Sequence, residues 1–239
     1  MIIQLKTGEE LSSLPQKGVE ANKIRALYMA YGMKYGFCRF FRQGELYVSV
    51  LDGSVVICGE SDDYSELAGF LTVNGFTDIF CCEAVGEKLS ELLRISCDKV
   101  KLMRFHGCDD GGRPIAEADS LSDVYDIIKE GFDIEFEPWY LDMSHRVRHG
   151  ISRCYVLDDS AALTVQHEIN GEALISQVAV RRNLRGKGVG TALVSAVSSS
   201  IDGEVYVICE DRLEAFYKRA GFEAVGRRCL LCASPVKKS

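Results

Sequence analysis

The chain has 239 residues, enough for one large domain or two small ones, and its 47% hydrophobic content is that of a folded globular protein. A formal net charge of -7 argues against nucleic acid or anionic membranes as partners, since both require an excess of Lys and Arg. Any anion must therefore be held locally.

The opening MIIQLKTGEELSSL lacks a basic segment followed by an apolar core, and nowhere do about 18 apolar residues run unbroken, so a cytoplasmic protein is expected. Of the ten cysteines, Cys38, Cys58, Cys97, Cys108, Cys154 and Cys209 are scattered, most of them in apolar runs where they serve as small buried hydrophobes. Cys81 and Cys82 end FTDIFCC, and Cys229 and Cys232 form a single CxxC with no second pair or nearby His. A structural zinc site needs four ligands, so reduced thiols and no metal are expected.

From the N-terminus, Glu20 to Tyr35 places Ile24, Leu27, Tyr28 and Tyr31 on one helical face. ELYVSVLDGSVVIC then predicts a hairpin around Asp52 and Gly53, residues that tolerate the positive backbone angles of a tight turn. A helix in DDYSELAGFLTVNGF, a strand FTDIFC, a helix VGEKLSELLRI and a strand DKVKLMRF follow. The Gly-, Asp- and Pro-rich segment from His106 to Ser120 predicts a boundary between domains over 1–110 and 120–239.

Beyond it, Ser120 or Ser122 caps a helix LSDVYDIIKEGF, and a second helix covers YLDMSHRVRHG. Strands SRCYVLD, AALTVQHEI and EALISQVAV follow, the third running directly into RRNLRGKGVG. The helix GTALVSAVSSSI, the strand EVYVICE, the helix DRLEAFYKRAGF and a β segment reaching CLLCA complete the chain.

The strand-turn-helix with glycines at 186, 188 and 190 is a site for an anion. The first N–H groups of the helix lack intrahelical partners and lie at its positive pole, and glycines admit close approach and positive φ. The nucleotide P-loop requires Lys and Ser/Thr directly after its final Gly, whereas Lys187 lies between glycines. The dinucleotide GxGxxG would require Gly at 191 or 193, where Thr191 and Leu193 stand.

Arg185, Gly188 and Gly190 instead give R-x-x-G-x-G after a strand and before a helix. Over roughly residues 120 to 230 the chain resembles the GCN5-related N-acetyltransferase (GNAT) superfamily, whose loop of this pattern cradles the pyrophosphate of acetyl-CoA. The resemblance implies an α/β fold with a mixed, mostly antiparallel central sheet flanked by helices. It implies cofactor contacts from Val178, Ala179 and Val180 and from Arg185, Gly186, Lys187, Gly188, Val189, Gly190 and Thr191. The segment VYVICEDRLEAFYKRAGFEAVGR is similar to the later strand-helix-strand of the family, which makes Tyr217 the candidate general acid for the departing thiolate. The backbone of Val178 to Val180 would polarise the thioester carbonyl, and that strand would splay from the next to admit the pantetheine arm.

Two departures stand out. Where relatives carry an Asn before the Tyr, Glu210 and Asp211 occur. The strand before the loop, which often carries the base, offers Glu172 at its start and then Ser176 and Gln177, so His167 and Glu168 on the preceding strand are substitutes acting through water, with Glu168 the candidate base.

Each feature also has a plainer reading. Tyr217 can be a ring packed on the sheet, His167 a turn-proximal residue, and Arg185 and Lys187 a solvated loop. Val189, Leu193, Val197 and Ile201 form a helix face against the sheet. The run from His145 to His149 reads as a solvated helix face, or, by the resemblance, as part of an acceptor site.

In the N-terminal half, Val55 to Ile79 parallels Val205 to Val225 as strand, acidic turn, helix, Gly-Phe and strand. This implies a degenerate second copy without the glycine loop, which shapes or covers the acceptor site. The expected function is direct acetyl transfer from acetyl-CoA to a primary amine on a small molecule or peptide, the acidic chain favouring a cationic acceptor such as a polyamine, an aminoglycoside or a Lys-bearing peptide. The alternatives are a non-catalytic acyl-CoA-binding regulatory protein and an interaction scaffold.

Overall fold

The computed structural model describes residues 1–107 and 115–233. Cys108 and the middle of the expected boundary segment lie outside the described residues.

In chain order the first elements are β1 (Ile3–Gln4), α1 (Val19–Tyr31), β2 (Cys38–Gln43), β3 (Leu46–Leu51) and β4 (Ser54–Cys58). Next come α2 (Tyr64–Asn74), β5 (Asp78–Cys82), α3 (Glu83–Leu93), β6 (Cys97–Phe105), β7 (Ala116–Glu117), α4 (Leu121–Ile128) and α5 (Phe136–Arg148). The remainder are β8 (Arg153–Leu157), β9 (Ala161–Ile169), β10 (Glu172–Val180), α6 (Val189–Ser200), β11 (Glu204–Cys209), α7 (Glu214–Arg219) and β12 (Phe222–Cys232). Among the described residues no helix is long and apolar enough to cross a membrane.

The chain forms two compact units, residues 1–100 with 227 onward, and residues 101–226. In the first, β2, β3 and β4 form an antiparallel meander, joined by the hairpin turn at Asp52 (φ 46) and Gly53 (φ 89). Helix α2 crosses over to β5, which pairs parallel to β4, and Arg228–Cys232 of β12 pairs antiparallel with β5. Leu67, Leu71, Val85 and Leu89 of α2 and α3 pack on Val48, Ile57, Ile79 and Leu231 of the strands. Gly86 is required there, because a Cβ would lie 2.3 Å from Cys229 Cβ. Cys229 is fully buried whereas Cys232 is partly exposed. Three positions apart in a strand, the two CxxC side chains point to opposite faces and do not converge on an ion.

The second unit repeats this plan. β7, β8, β9 and β10 pair antiparallel in order, α6 crosses over to β11, which is parallel to β10, and Lys101–Arg104 of β6 pairs antiparallel with β11. Each unit thus completes its sheet with a strand end from the other half of the chain. One face carries α6 and α7 on Leu163, Val165, Ile175 and Val207. The other carries α4 and α5, with Val124, Ile127, Ile128, Trp139 and Met143 on Cys154, Ala162 and Ala179. Burying Leu193, Val194 and Val197 of α6 contributes roughly 1.5–3 kcal/mol for each side chain.

This plan shifts the internal correspondence read from the sequence. Strand, helix and strand from Val55 to Ile79 are β4, α2 and β5, a crossover between parallel neighbours, so their counterpart is β10, α6 and β11. The strands β11 and β12 of the Val205 to Val225 segment are not sheet neighbours. Strand β2 is an element that the hydrophobic pattern does not announce, because Arg39 and Arg42 interrupt CRFFRQ.

Candidate functional site

Strand β10 has two unlike halves. Glu172 to Ile175 pair in parallel with Glu204 to Val207 of β11, and the pairing stops there. On its other edge β10 stays with β9 as far as Val180 opposite Ala161. The β11-facing edge from Ser176 to Val180 is therefore a slot whose backbone groups have no strand partner. Within it the register slips between Ser176 and Ala179, so that Gln177 and Val178 stand against Leu163. This is a β-bulge, and Gln177 adopts φ 48, a conformation usually left to glycine. Alternation along the strand is reset: Ala173, Ile175, Val178 and Val180 all face the α6 and α7 core, while Ala179 faces α4 and α5.

The strand then enters the glycine loop, which is held from one residue after α4. Glu130 Oε2 accepts the Arg182 N–H at 2.7 Å, Oε1 lies 3.2 Å from an Arg181 nitrogen, and the Glu130 carbonyl accepts from Arg185 at 2.8 Å. The Arg182 N–H, with help from Arg181, holds the Glu130 carboxyl below its usual range. Arg181 also reaches Asp159 Oδ1 at 2.6 Å, and Arg185 Nε donates to the Val180 carbonyl at 3.0 Å. The Arg185 guanidinium thus braces the loop through two carbonyl groups. Arg182 and Lys187 are exposed and place their charge at its mouth.

Gly186 (φ 77) and Gly188 (φ 79) take left-handed conformations that other residues adopt at a cost, and no heavy atom lies within 4 Å of where their Cβ would stand. Gly188 is the N-cap of α6 and no side chain caps the helix. The N–H groups of Val189, Gly190 and Thr191 therefore begin the helix without intrahelical acceptors. At Gly190 a Cβ would lie 2.9 Å from Val180 Cγ2 and 3.3 Å from Phe216, so only glycine lets α6 seat on the strand end and α7. Open glycines, an uncapped helix pole and two exposed cations suit a phosphate or pyrophosphate.

Tyr217, on α7, is 7% exposed and belongs to the same cluster as Val178, Val180, Val189 and Cys209. Its ring meets Phe216 and Phe222 edge-on, at 4.9 and 5.8 Å between centroids. Burial pushes its phenol above the usual range, and its hydroxyl makes no hydrogen bond to another described residue. Burial likewise holds the Cys209 thiol up at about 11.

Glu168 stands elsewhere. It is ion-paired with Arg153 and opposite Ala173, five residues before Val178 and so about 17 Å along the strand. His167 is buried opposite Leu174. The rings of His145 and His149 lie tilted at 39° with centroids 4.2 Å apart near the end of α5, but Arg146 between them is buried and holds Asp142 at 2.8 Å, so the run is only partly solvated. Glu210 pairs with Arg212 and Asp211 with Lys101.

Three residues at the site carry no mark in the sequence: Glu130, Trp139 and Gln177. Trp139 falls before the expected start of its helix because Pro138 precedes it, yet Pro138 lies in the first turn, where its missing N–H is not needed. The Trp139 indole N–H donates to Gln177 Oε1 at 3.0 Å, and Thr164 Oγ1 lies 3.4 Å from the same atom. Holding a non-glycine residue in the left-handed region costs roughly 1–2 kcal/mol, which these contacts offset.

Comparison with known proteins agrees with this geometry. Residues 150–224 match the model of the acetyltransferase (GNAT) domain. No curated protein sequence matches the chain. Among solved structures it is similar to a GCN5-related N-acetyltransferase from Kribbella flavida, at 14% identity and TM-score 0.61, over 91% of this chain and 95% of that one. An acetyltransferase of the GNAT family from Colwellia psychrerythraea is similar at 12% identity and TM-score 0.56, over 97% and 99% of the two chains. A tandem GNAT protein from the clavulanic acid biosynthesis pathway is similar at 12% identity and TM-score 0.59, over 99% of both chains. At these identities the likeness is one of fold. Residues 150–224 thus match the GNAT acetyltransferase domain, in a chain whose fold is similar to that of a tandem GNAT protein.

Proposed function

We propose that the protein transfers an acetyl group from acetyl-CoA directly to a primary amine. The observation that carries this reading is the continuity of the slot beyond Ile175 with the open glycine loop at the uncapped start of α6. A CoA thioester needs both, a channel for its pantetheine arm and a cradle for its pyrophosphate. Val178 to Val180 line the arm, while Gly186 to Thr191 receive the pyrophosphate with charge from Lys187 and Arg182. Arg185 serves by bracing the loop.

In the reaction the neutral amine attacks the thioester carbonyl, the oxyanion forms against N–H groups of the slot, and collapse expels CoA thiolate. Tyr217 donates its proton to the sulfur, its neutral phenol being protonated throughout the neutral range. Cys209 stays a thiol at neutral pH, which fits direct transfer without a covalent enzyme intermediate. Glu168 would take the amine proton only through a chain of waters and at the expense of its pair with Arg153. Loss of the ammonium proton to bulk water before binding supplies the neutral amine, and the proton that its nitrogen sheds as the intermediate collapses passes through water to return the Tyr217 phenolate to a phenol.

Calorimetry with acetyl-CoA, followed by release of free thiol over a panel of primary amines, tests the proposal. Binding with a Kd of about 1 µM to 1 mM and amine-dependent thiol release are expected. Absence of binding overturns it, and binding without turnover on any amine favours a regulatory acyl-CoA-binding protein.

A further inference from the structure

We propose that Trp139 and Gln177 are positioning residues that aim the thioester-binding backbone, a proposal that rests on the acetyl-CoA reading above. Gln177 occupies the first place of the bulge at φ 48. Glycine would sit there without strain, so the contacts of the Gln177 side chain must offset the cost of this conformation. An indole N–H only donates, which fixes Gln177 Oε1, rather than its amide nitrogen, toward Trp139 at 3.0 Å. The Thr164 hydroxyl lies 3.2 Å from the Ser176 carbonyl oxygen and 3.4 Å from the same Gln177 oxygen, so its single proton is shared between two acceptors of the bulge.

Trp139 is itself firmly packed. It is 8% exposed, set among Val124, Ile127 and Met143 with Ala162 and Ala179 beneath it, and its ring lies 5.5 Å from that of Tyr125. The rigid wall of α4 and α5 therefore holds one side chain of β10 at the place where that strand leaves β11.

The consequence falls on the opposite face. The bulge turns Val178 toward the α6 and α7 side, where Tyr217 lies; without it, strict alternation from Ile175 would send Val178 toward α4 and α5. Fixing Gln177 fixes the direction of the N–H groups at Gln177 and Val178, and with it the hydrogen bond offered to the acetyl carbonyl. Trp139 touches no reacting atom and acts through Gln177.

Isotope-edited infrared spectroscopy of bound acetyl-CoA, labelled at its acetyl carbonyl, reads this hydrogen bond directly and needs no acceptor. The carbonyl band is expected to fall on binding to the native protein. In Trp139→Phe, which keeps the ring face and loses the N–H, and in Gln177→Gly, which relieves the backbone and loses the side chain, the band is expected to return toward its free position. The Kd for acetyl-CoA should stay within about threefold, while kcat on the best amine of the panel falls roughly tenfold or more. A band that remains shifted in both variants overturns the proposal, as does loss of acetyl-CoA binding in Trp139→Phe, which would mean that the indole builds the slot rather than aims it. Failure of the native protein to bind acetyl-CoA would instead sink the acetyltransferase reading.

Discussion

The carboxylate of Glu130 accepts the backbone N–H of Arg182 at 2.7 Å, and this bond ties the end of α4 to the start of the glycine loop. Its other oxygen takes up Arg181, so that one acidic side chain holds the chain direction at the point where β10 ends.

Glu130→Ala is expected to weaken acetyl-CoA binding about tenfold in calorimetry, through loss of loop order rather than of a phosphate contact. Glu130→Gln should recover most of the affinity, because an amide oxygen still accepts the Arg182 N–H. The carboxyl is held below the usual 4.5, so the native loop keeps this support above that pH and loses it only as pH falls through the lowered value. Affinity for acetyl-CoA should thus show no Glu130-dependent change from pH 8 down to about pH 5. An affinity that does not respond to Glu130→Ala would count against the brace.

Gly190 and Gly188 answer to different physics. Gly190→Ala pushes a methyl group against Val180 and Phe216 and should lower stability by about 1–3 kcal/mol in urea unfolding. Gly188→Ala meets open space but must hold φ 79, so a cost of about 1–2 kcal/mol is expected, together with weaker acetyl-CoA binding. Equal stability of the Gly190 variant and the native protein would refute the close seating of α6.

Tyr217→Phe should cut kcat by roughly a hundredfold or more with the Kd for acetyl-CoA little changed. Its folded phenol is raised above 10, so native stability is unaffected below pH 10 and declines as pH rises from there toward the raised value. Tyr217→Phe should abolish that share of the decline when unfolding is followed against pH. Glu168→Gln, by contrast, should leave kcat within about twofold and its pH profile in place; loss of the acidic limb would restore Glu168 as the base.

One acetyl-CoA is expected per chain. The counterpart of the glycine loop in the first unit is the turn from Gly59 to Asp63, and there the Asp63 carboxylate already caps α2 by accepting the Glu66 N–H at 2.9 Å. Glu60, Asp62 and Glu66 add negative charge around the same helix start, which repels a pyrophosphate. A calorimetric stoichiometry near two would contradict this.

The sequence alone determined what depends on neighbours along the chain. Apolar runs bounded by the turn pairs Asp158-Asp159 and Asn170-Gly171 marked AALTVQHEI and EALISQVAV, which are β9 and β10 residue for residue, and the spacing of Arg185, Gly188 and Gly190 separated this loop from the other phosphate-binding turns. These are local properties, set by backbone sterics and by the turn residues that bound each run. The start of α5 and the strand β2 were hidden because Pro138 and the two arginines of CRFFRQ obscure the local pattern.

What only the tertiary structure decided is which distant residues meet. Trp139 and Gln177 lie 38 positions apart and Arg182 and Glu130 lie 52 apart, and no periodicity encodes such a pairing. Which strand–helix–strand segments correspond was likewise fixed by sheet neighbours, since β4 and β5 are parallel partners whereas β11 and β12 are not adjacent. Helix and strand signals record the preference of each segment for a shape. The slot, its bulge and the brace on the loop arise from packing between segments, where burial and hydrogen-bond satisfaction choose among many locally acceptable arrangements.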